Sequence, residues 1–192
     1  MPTPRPRDVV DIPIWQGDAA LVVIETPRGS ANKLKYDAGL GAFRLDRVLP
    51  AGMSFPFDFG FVPQTVAEDG DPLDVIVLLD APVYPGCVVP ARVIGDLEAE
   101  QRDGRGPWER NDRLLAVAQA SKTHAGIRTI ADVDRVLLEA IGAFFTDYHR
   151  LDGEEFRVIA RAGTRAARRA IREAHERYTK NGKAGSAAEG AA

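Results

Sequence analysis

The sequence of 192 residues has a single cysteine and no long apolar run. Cys87 has no partner for an internal disulfide, which excludes the class of small extracellular domains that disulfides hold together. No stretch is apolar over the length of a signal peptide at the N-terminus or of a membrane-spanning helix elsewhere. We therefore expect a cytoplasmic protein that makes no use of a membrane.

Positive charge is not in surplus. Lysine and arginine number 25 against 28 aspartate and glutamate residues, which gives a net charge of −3. General attraction to nucleic acid needs a basic surplus, so we expect no nucleic-acid partner. The sequence also lacks a P-loop, a GxSxG elbow, an HExxH motif and a CxxC pair. These absences exclude the enzyme classes that those motifs define.

The chain is predicted to form one domain with two irregular ends. Residues 1–17 are rich in proline and arginine and predict an extended arm, whereas residues 181–192 are mostly glycine and alanine and predict a flexible tail. Between them, residues 18–180 contain short β-runs bounded by turn residues, which is typical of a small barrel or sandwich. The predicted strands are Ala20–Ile24, Phe43–Arg47, Val75–Leu79, Val88–Ile94, Leu114–Val117 and Phe156–Ile159.

Two segments have helical periodicity. Apolar residues recur at helical spacing from Asp132 to Tyr148, and Asp132 is a candidate cap. A second helix is predicted from Thr164, as its cap, to Lys180, with Asn181-Gly182 as the stop. The predicted fold class is α+β, a closed β-barrel flanked by two main helices.

The clearest chemical feature is a cluster of aspartates, Asp69, Asp71 and Asp74, directly before a buried β-run. Gly70 and Pro72 favour a tight turn that brings the three carboxylates together. Oxygen ligands without neighbouring cysteine or histidine select a hard cation, with Mg²⁺ the first choice. A solvated acidic turn is the alternative interpretation.

Cationic residues accompany these carboxylates. Lys33 and Lys35 flank a short strand, and Arg47 shares the inward face of the next strand with Phe43 and Leu45. An inward arginine needs either a structural carboxylate partner or an anionic ligand, and the sequence leaves both open. The alternating aromatic residues of Phe55–Phe61 are predicted to be core.

Together these stretches resemble the soluble family I inorganic pyrophosphatases over residues 20–160. The DGDPxD stretch with its following β-run is the most specific part of the resemblance, and the others are collinear with it. The stretches are Val22–Glu25, Asn32–Asp37, Phe43–Arg47, Phe55–Phe61, Asp69–Asp74, Asp112–Val117 and Phe144–Tyr148.

The resemblance implies a five-stranded barrel of the OB type, a homo-oligomer, and diphosphate as substrate with up to four Mg²⁺ ions, Mn²⁺ being an alternative. Asp69 would bind the first metal, Asp74 would bridge two metals, and Asp71 would accept a proton from the attacking water. Glu25 would hold a further metal through water. The implied phosphate-binding residues are Lys35, Arg47, Tyr148 and Arg113, the last standing where the family usually has a lysine.

Several positions depart from the family pattern. Phe59 and Phe55 stand where tyrosines are usual, and His149 stands where a phosphate-binding lysine is expected. An ungapped match places Gln101 and Asn111 at two further acidic positions. We therefore take the nearest carboxylates, Asp103 and Asp112, as candidate metal ligands.

Two other functions stay open on the sequence alone. One is a metal-dependent hydrolase of other phosphoanhydrides, which the changes at Phe59 and His149 favour. The other is a non-catalytic OB-barrel module that binds nucleic acid, against which the acidic balance and the clustered carboxylates count.

Overall fold

The computed structural model describes residues 9–189. Its helices are α1 (Arg135–Leu151) and α2 (Thr164–Glu189), with short 3-10 helices at Val9–Asp11 and Ile130–Asp132. Its strands are β1 (Trp15–Gln16), β2 (Ala19–Thr26), β3 (Asn32–Asp37), β4 (Ala42–Val48), β5 (Asp58–Phe61), β6 (Asp74–Leu78), β7 (Val88–Asp103), β8 (Glu109–Arg110), β9 (Arg113–Ala118) and β10 (Glu154–Gly163). Within these residues, no helix is long and apolar enough to cross a membrane.

Five strands close into a ring. Strand β2 pairs with β5, β5 with β6, β6 with β9, β9 with β7, and β7 returns to β2. All of these pairs are antiparallel except β6–β9, which is parallel. The ring confirms the five-stranded barrel that the family resemblance implies.

The barrel strands are buried on both faces. All eight residues of β2 and all six of β9 are buried, so these strands have continuous apolar runs and little alternation. Successive residues contribute to two separate core clusters: Val75 and Val77 belong to one with Ile171 of α2, whereas Ile76 belongs to the other with Ile141 of α1. The two helices therefore cover the barrel where a sheet face would otherwise meet water.

Helix α1 begins later than predicted. Asp132 is not its cap, because the Asp132 carboxylate accepts hydrogen bonds from the backbone N–H groups of Arg128 and Thr129 and closes the short 3-10 turn. Asp134 is the cap instead, and its carboxylate accepts from the N–H groups of Val136 and Leu137. Both aspartates suit a cap, so the choice depends on where the chain leaves the turn.

Helix α2 differs from the prediction at both ends. Thr164 is its first residue, and the Thr164 hydroxyl donates to the carbonyl of Ile94 on β7 at 3.0 Å, so it ties the helix to the barrel. The helix passes through Gly182 and ends at Glu189. A glycine stops a helix only where the backbone turns left-handed, and the alanines beyond Gly182 favour continued helix. Residues 190–192 of the predicted tail lie outside the described residues.

The segments around the barrel contain β3, which the sequence left unassigned, and β4, which it predicted as Phe43–Arg47. Strands β3 and β4 form a separate two-stranded sheet that carries Lys35 and Arg47. Phe55, Phe59 and Phe61 are all buried, as predicted for a core segment, and β5 includes the last two. At the N-terminus β1 pairs with β2, and residues 1–8 of the predicted arm lie outside the described residues.

Candidate active site

A cleft of about 330 Å³ opens between the β3–β4 hairpin, the turn before β6, and α1. The structure brings eight of the ten predicted site residues to its walls. These are Glu25, Lys35, Arg47, Asp69, Asp71, Asp74, Arg113 and Tyr148. The remaining two, Asp103 and Asp112, lie elsewhere.

The three aspartates occupy the tight turn that the sequence predicts. Gly70 has a φ of 90°, a left-handed conformation that favours glycine. The N–H of Asp71 donates to Oδ1 of Asp69 at 3.1 Å, and Asp74 is the first residue of β6. Burial raises the pKa of Asp69, and the neighbouring charges of Asp74 and Asp71 add to the shift. The negative charges of the three carboxylates at this turn therefore repel one another.

Glu25 faces the turn from β2 and is only 6% exposed. Its Oε1 accepts a hydrogen bond of 2.6 Å from the N–H of Tyr36. Burial raises the pKa of Glu25 to about 7, against the opposing charge of Lys33. A buried carboxyl with this pKa would be stabilised in its charged form by any cation placed in the cleft.

Two of the predicted cations lie on the β3–β4 hairpin. The Lys35 ammonium donates to Oδ2 of Asp71 at 2.8 Å. Burial acts to lower the pKa of Lys35, but the contact with Asp71 opposes it, and the pKa is raised. Arg47 pairs with Asp152, and its guanidinium lies 5.3 Å from the centre of the Tyr148 ring. Arg47 therefore has a structural carboxylate partner, which is one of the two alternatives that the sequence left open, and it also lines the cleft.

Tyr148 and His149 enter the cleft from the last turns of α1. Burial raises the pKa of Tyr148 to about 12, so its phenol stays protonated as a hydrogen-bond donor. His149 is 5% exposed, its Nδ1 lies 2.6 Å from Oε2 of Glu154, and its ring stacks on Phe156. Burial lowers the pKa of His149 despite Glu154, so the ring is neutral near pH 7. Position 149 therefore carries no fixed positive charge, whereas the resemblance implied a lysine at this position.

Lys33 and Asp46 also line the cleft. Lys33 was noted in the sequence as a cation that accompanies the aspartates, but neither residue was predicted as a site residue. The Lys33 ammonium lies 4.1 Å from the centre of the Phe59 ring, and burial lowers its pKa while Asp74 and Glu25 oppose the shift. Phe59 has no hydroxyl where the family usually has a tyrosine. Its ring face instead makes a cation–π contact with the Lys33 ammonium. The signal for Lys33 was its position two residues before Lys35, on the same face of β3.

The structure places Asp112 and Asp103 outside this cleft. Asp112 accepts from the N–H of Ala99 at 2.9 Å and from Arg110 at 2.7 Å, and it lines a different cleft. Neighbouring residues of an extended chain point to opposite sides, so Asn111 and Arg113 face the active-site cleft and Asp112 faces away. Asp103 is exposed at the end of β7, two residues beyond Gln101, which does line the cleft.

The carboxylates of the cleft suit a hard divalent cation. Glu25, Asp69, Asp71 and Asp74 offer oxygen donors, which is the donor type that Mg²⁺ prefers. Among the side chains that the structure describes, no three carboxylate, histidine or cysteine groups converge closely enough to enclose an ion. Asp71 and Asp74 instead pair with Lys35 and Arg113. The donor chemistry fits a metal, and a metal would have to compete with these two cations.

The family model described as inorganic pyrophosphatase matches residues 22–179, which include every cleft residue named above. The chain is 41% identical to the inorganic pyrophosphatase of a Nostoc species, over 72% of this chain and 79% of that protein. It is 38% identical to that of Methanosarcina mazei, over 84% and 93%. The chain belongs to the inorganic pyrophosphatase family.

Solved structures of the family agree with this assignment. The crystal structure of the inorganic pyrophosphatase from Thermus thermophilus superposes with a TM-score of 0.82 at 36% identity, covering 90% of this chain and 99% of that chain. The resemblance of the sequence to the inorganic pyrophosphatases is thereby confirmed, together with the barrel and its two helices. Pyrophosphatases of this family depend on metal ions.

This family member has a second cleft on the other side of the barrel, under α2. Its walls include Asp96, Glu98, Arg110 and Asp112. Asp96 is 3% exposed, and its Oδ1 has no hydrogen-bond partner among the described residues. Burial raises the pKa of Asp96 to about 7, and the charges of Asp112 and Glu98 add to the shift.

Asp96 should make folding stability fall with rising pH. The pKa of Asp96 is raised in the folded state. The contribution of Asp96 to the free energy of unfolding is therefore fully present below its unfolded pKa of about 4 and is lost as the pH rises through about 7. Asp96→Asn carries no such charge and should be more stable than wild type at pH 8, by up to about 4 kcal/mol. The difference should disappear near pH 4. Urea unfolding of both proteins from pH 4 to pH 8 measures it, and parallel stability curves would contradict the prediction.

Proposed function

We propose that this cleft hydrolyses inorganic diphosphate to two phosphates. The observation that carries the proposal is the meeting of four carboxylates, Glu25, Asp69, Asp71 and Asp74, with the cations of Lys33, Lys35, Arg47 and Arg113 in one cleft. Diphosphate is a compact anion with several charges, and its binding requires fixed cations and hydrogen-bond donors close together. The membership of the chain in the pyrophosphatase family supports the same substrate.

The donors around the cleft bind the phosphate oxygens. Lys35 and Arg47 approach from the β3–β4 hairpin, Tyr148 from α1, and Arg113 from the start of β9. Burial keeps the Tyr148 phenol protonated, so it donates to an anionic oxygen. Because these donors come from separate elements, they hold both phosphates and orient the bridging oxygen.

Asp71 acts as the general base. Its side chain is 58% exposed and reaches the cleft, where an attacking water would lie. The water gives one proton to the Asp71 carboxylate as its oxygen bonds to phosphorus, the bond from phosphorus to the bridging oxygen breaks, and the second phosphate leaves. Lys35, which contacts Asp71 at 2.8 Å, orients the carboxylate.

Asp69 and Asp74 are proposed to hold Mg²⁺, with Glu25 contributing through water, and Mn²⁺ is the alternative ion. When bound, the ion neutralises charge on diphosphate and lowers the pKa of a coordinated water. The donor set favours this assignment, because hard cations select carboxylate oxygens. The assignment requires Asp74 to exchange some contact with Arg113 for the metal.

Removal of metal tests the proposed function directly. Phosphate release from diphosphate should stop in EDTA and return with excess Mg²⁺, because the charge of the substrate is otherwise only partly neutralised. Triphosphate and ATP, each with and without Mg²⁺, serve as matched substrates, and the rates on both should be lower. Full activity in EDTA would contradict the metal assignment. Preference for triphosphate or ATP would support the alternative phosphoanhydride hydrolase.

Two further expectations are part of the proposal. The enzyme acts in the cytoplasm, where its diphosphate substrate is produced by nucleotide-dependent reactions, and it assembles as a homo-oligomer. Family resemblance supports the second expectation, which light scattering on the purified protein measures.

A further inference from the structure

One wall of the cleft consists of two uncharged amides and an arginine. Gln101 lies on β7, Asn111 directly after β8, and Arg113 at the start of β9. The amide of Asn111 donates to Oε1 of Gln101, and Arg113 donates to Oδ1 of Asn111. Both amide oxygens are therefore occupied by hydrogen bonds inside the protein.

Arg113 is fixed in position. It is 5% exposed, its Nη1 lies 2.9 Å from Oδ2 of Asp74, and it donates to the carbonyl oxygen of Asp112 at 3.0 Å. The rings of Phe145 and Phe156 lie 5.2 Å and 5.7 Å from its guanidinium carbon. Apolar rings keep water away from this charge, so its field in the cleft is screened less than that of an exposed arginine.

This wall disfavours a divalent cation for three reasons. An amide oxygen carries no net charge and is a weaker ligand for Mg²⁺ than a carboxylate. The amide oxygens of Gln101 and Asn111 already accept hydrogen bonds, so a metal would have to displace a donor. Finally, the buried guanidinium of Arg113 repels any cation placed beside it.

We propose that Gln101, Asn111 and Arg113 leave no site for a divalent cation at this wall, where Arg113 binds a phosphate oxygen directly, so that the cleft holds fewer divalent cations than the four that family resemblance implies. The remaining ions bind on Asp69 and Asp74, with Glu25 contributing through water. The proposal rests on the proposed function for the identity of the anion. It concerns the number of ions, which is measurable without turnover.

The test counts bound Mn²⁺ by calorimetry on the full chain, with and without methylenediphosphonate as a diphosphate analogue that is not hydrolysed. The wild type should bind fewer than four ions, and Gln101→Glu/Asn111→Asp should bind at least one more. Gln119→Glu is the matched control, because Gln119 is exposed and outside the cleft, and its ion count should equal that of wild type. Four ions on wild type, or no gain in a folded double variant, would overturn the proposal. If the double variant does not fold, the wild-type count decides.

A second measurement tests the role of Arg113. Arg113→Met removes the charge but keeps much of the apolar stem, and it should weaken binding of methylenediphosphonate by about tenfold or more, since a charged hydrogen bond is lost. Unchanged affinity in a folded variant would contradict direct binding by Arg113. If the wild type bound fewer than four ions but did not hydrolyse diphosphate, the proposed function would be rejected and this inference would stand. If it bound four ions with full activity, this inference would be rejected and the proposed function would stand.

Discussion

Asp71→Asn should lower the turnover number for diphosphate by about 10²–10⁴-fold, the usual contribution of a positioned general base. The asparagine oxygen can still accept the hydrogen bond from Lys35, so the local geometry is retained, but an amide cannot take the proton of the attacking water. KM should change little, because the lost interaction is made in the transition state. Steady-state kinetics at saturating Mg²⁺ measures both constants.

Two controls separate this effect from a structural one. Asp18→Asn makes the same change at an exposed aspartate outside the cleft and should leave turnover unchanged. The melting temperature of Asp71→Asn should stay close to wild type, because the Asp71 side chain is 58% exposed and its surface ion pair contributes little. A turnover within tenfold of wild type would remove Asp71 from the role of base. A higher Mg²⁺ requirement with normal turnover would make it a metal ligand.

Gly60→Ala should destabilise the barrel by about 3 kcal/mol, the upper end of the usual cost of overpacking. Gly60 lies in β5 opposite Ile24 of β2, and an added Cβ would overlap the carbonyl oxygen of Val23 and lie 2.8 Å from Cα of Ile24. Both contacts are with backbone, which cannot move without separating the β2–β5 pair and opening the ring. Urea unfolding measures the loss, which is a large part of the stability of a typical domain.

Gly142→Ala is the matched control. Gly142 lies in α1, where an added Cβ would meet its nearest atom, Cγ2 of Val158, at 3.4 Å. Alanine in a helix interior is about 0.5–1 kcal/mol more favourable than glycine, so this variant should be as stable as wild type or slightly more stable. If Gly60→Ala lost less than about 1 kcal/mol, the β2–β5 pair would be able to adjust, and the close approach would not constrain the fold.

The carboxylate turn shows where sequence alone is sufficient. Asp69, Asp71 and Asp74 are joined by Gly70 and Pro72, and this short spacing with two turn residues is enough to place all three aspartates on one turn at the cleft. The strand runs were likewise predictable, because β-branched and aliphatic residues favour strands and local propensity agrees with the final structure. The hairpin from Asn32 to Val48 was predicted only in part, as the strand Phe43–Arg47, and β3 was not assigned.

The position of Asp112, outside the active-site cleft, was not predictable from local sequence. Asn111, Asp112 and Arg113 are consecutive, and strand geometry requires that the middle residue face away from the other two. The sequence does not say which side faces the cleft, because that is set by the pairing of β9 with β6 and β7. A one-residue change in register would have exchanged the two faces and made Asp112 the cleft residue.

By itself, the sequence determined the family, the β-rich character of the chain and the aspartate turn, since these depend on residue types and short spacings. Only the tertiary structure decided that Glu25 and Arg113, which are buried, and Lys33, which is half-buried, line the same cleft as that turn. It also decided that Gln101 and Asn111 face the cleft in place of Asp103 and Asp112. The physical reason is that charge and burial depend on strands that are far apart in sequence and meet only when the ring closes.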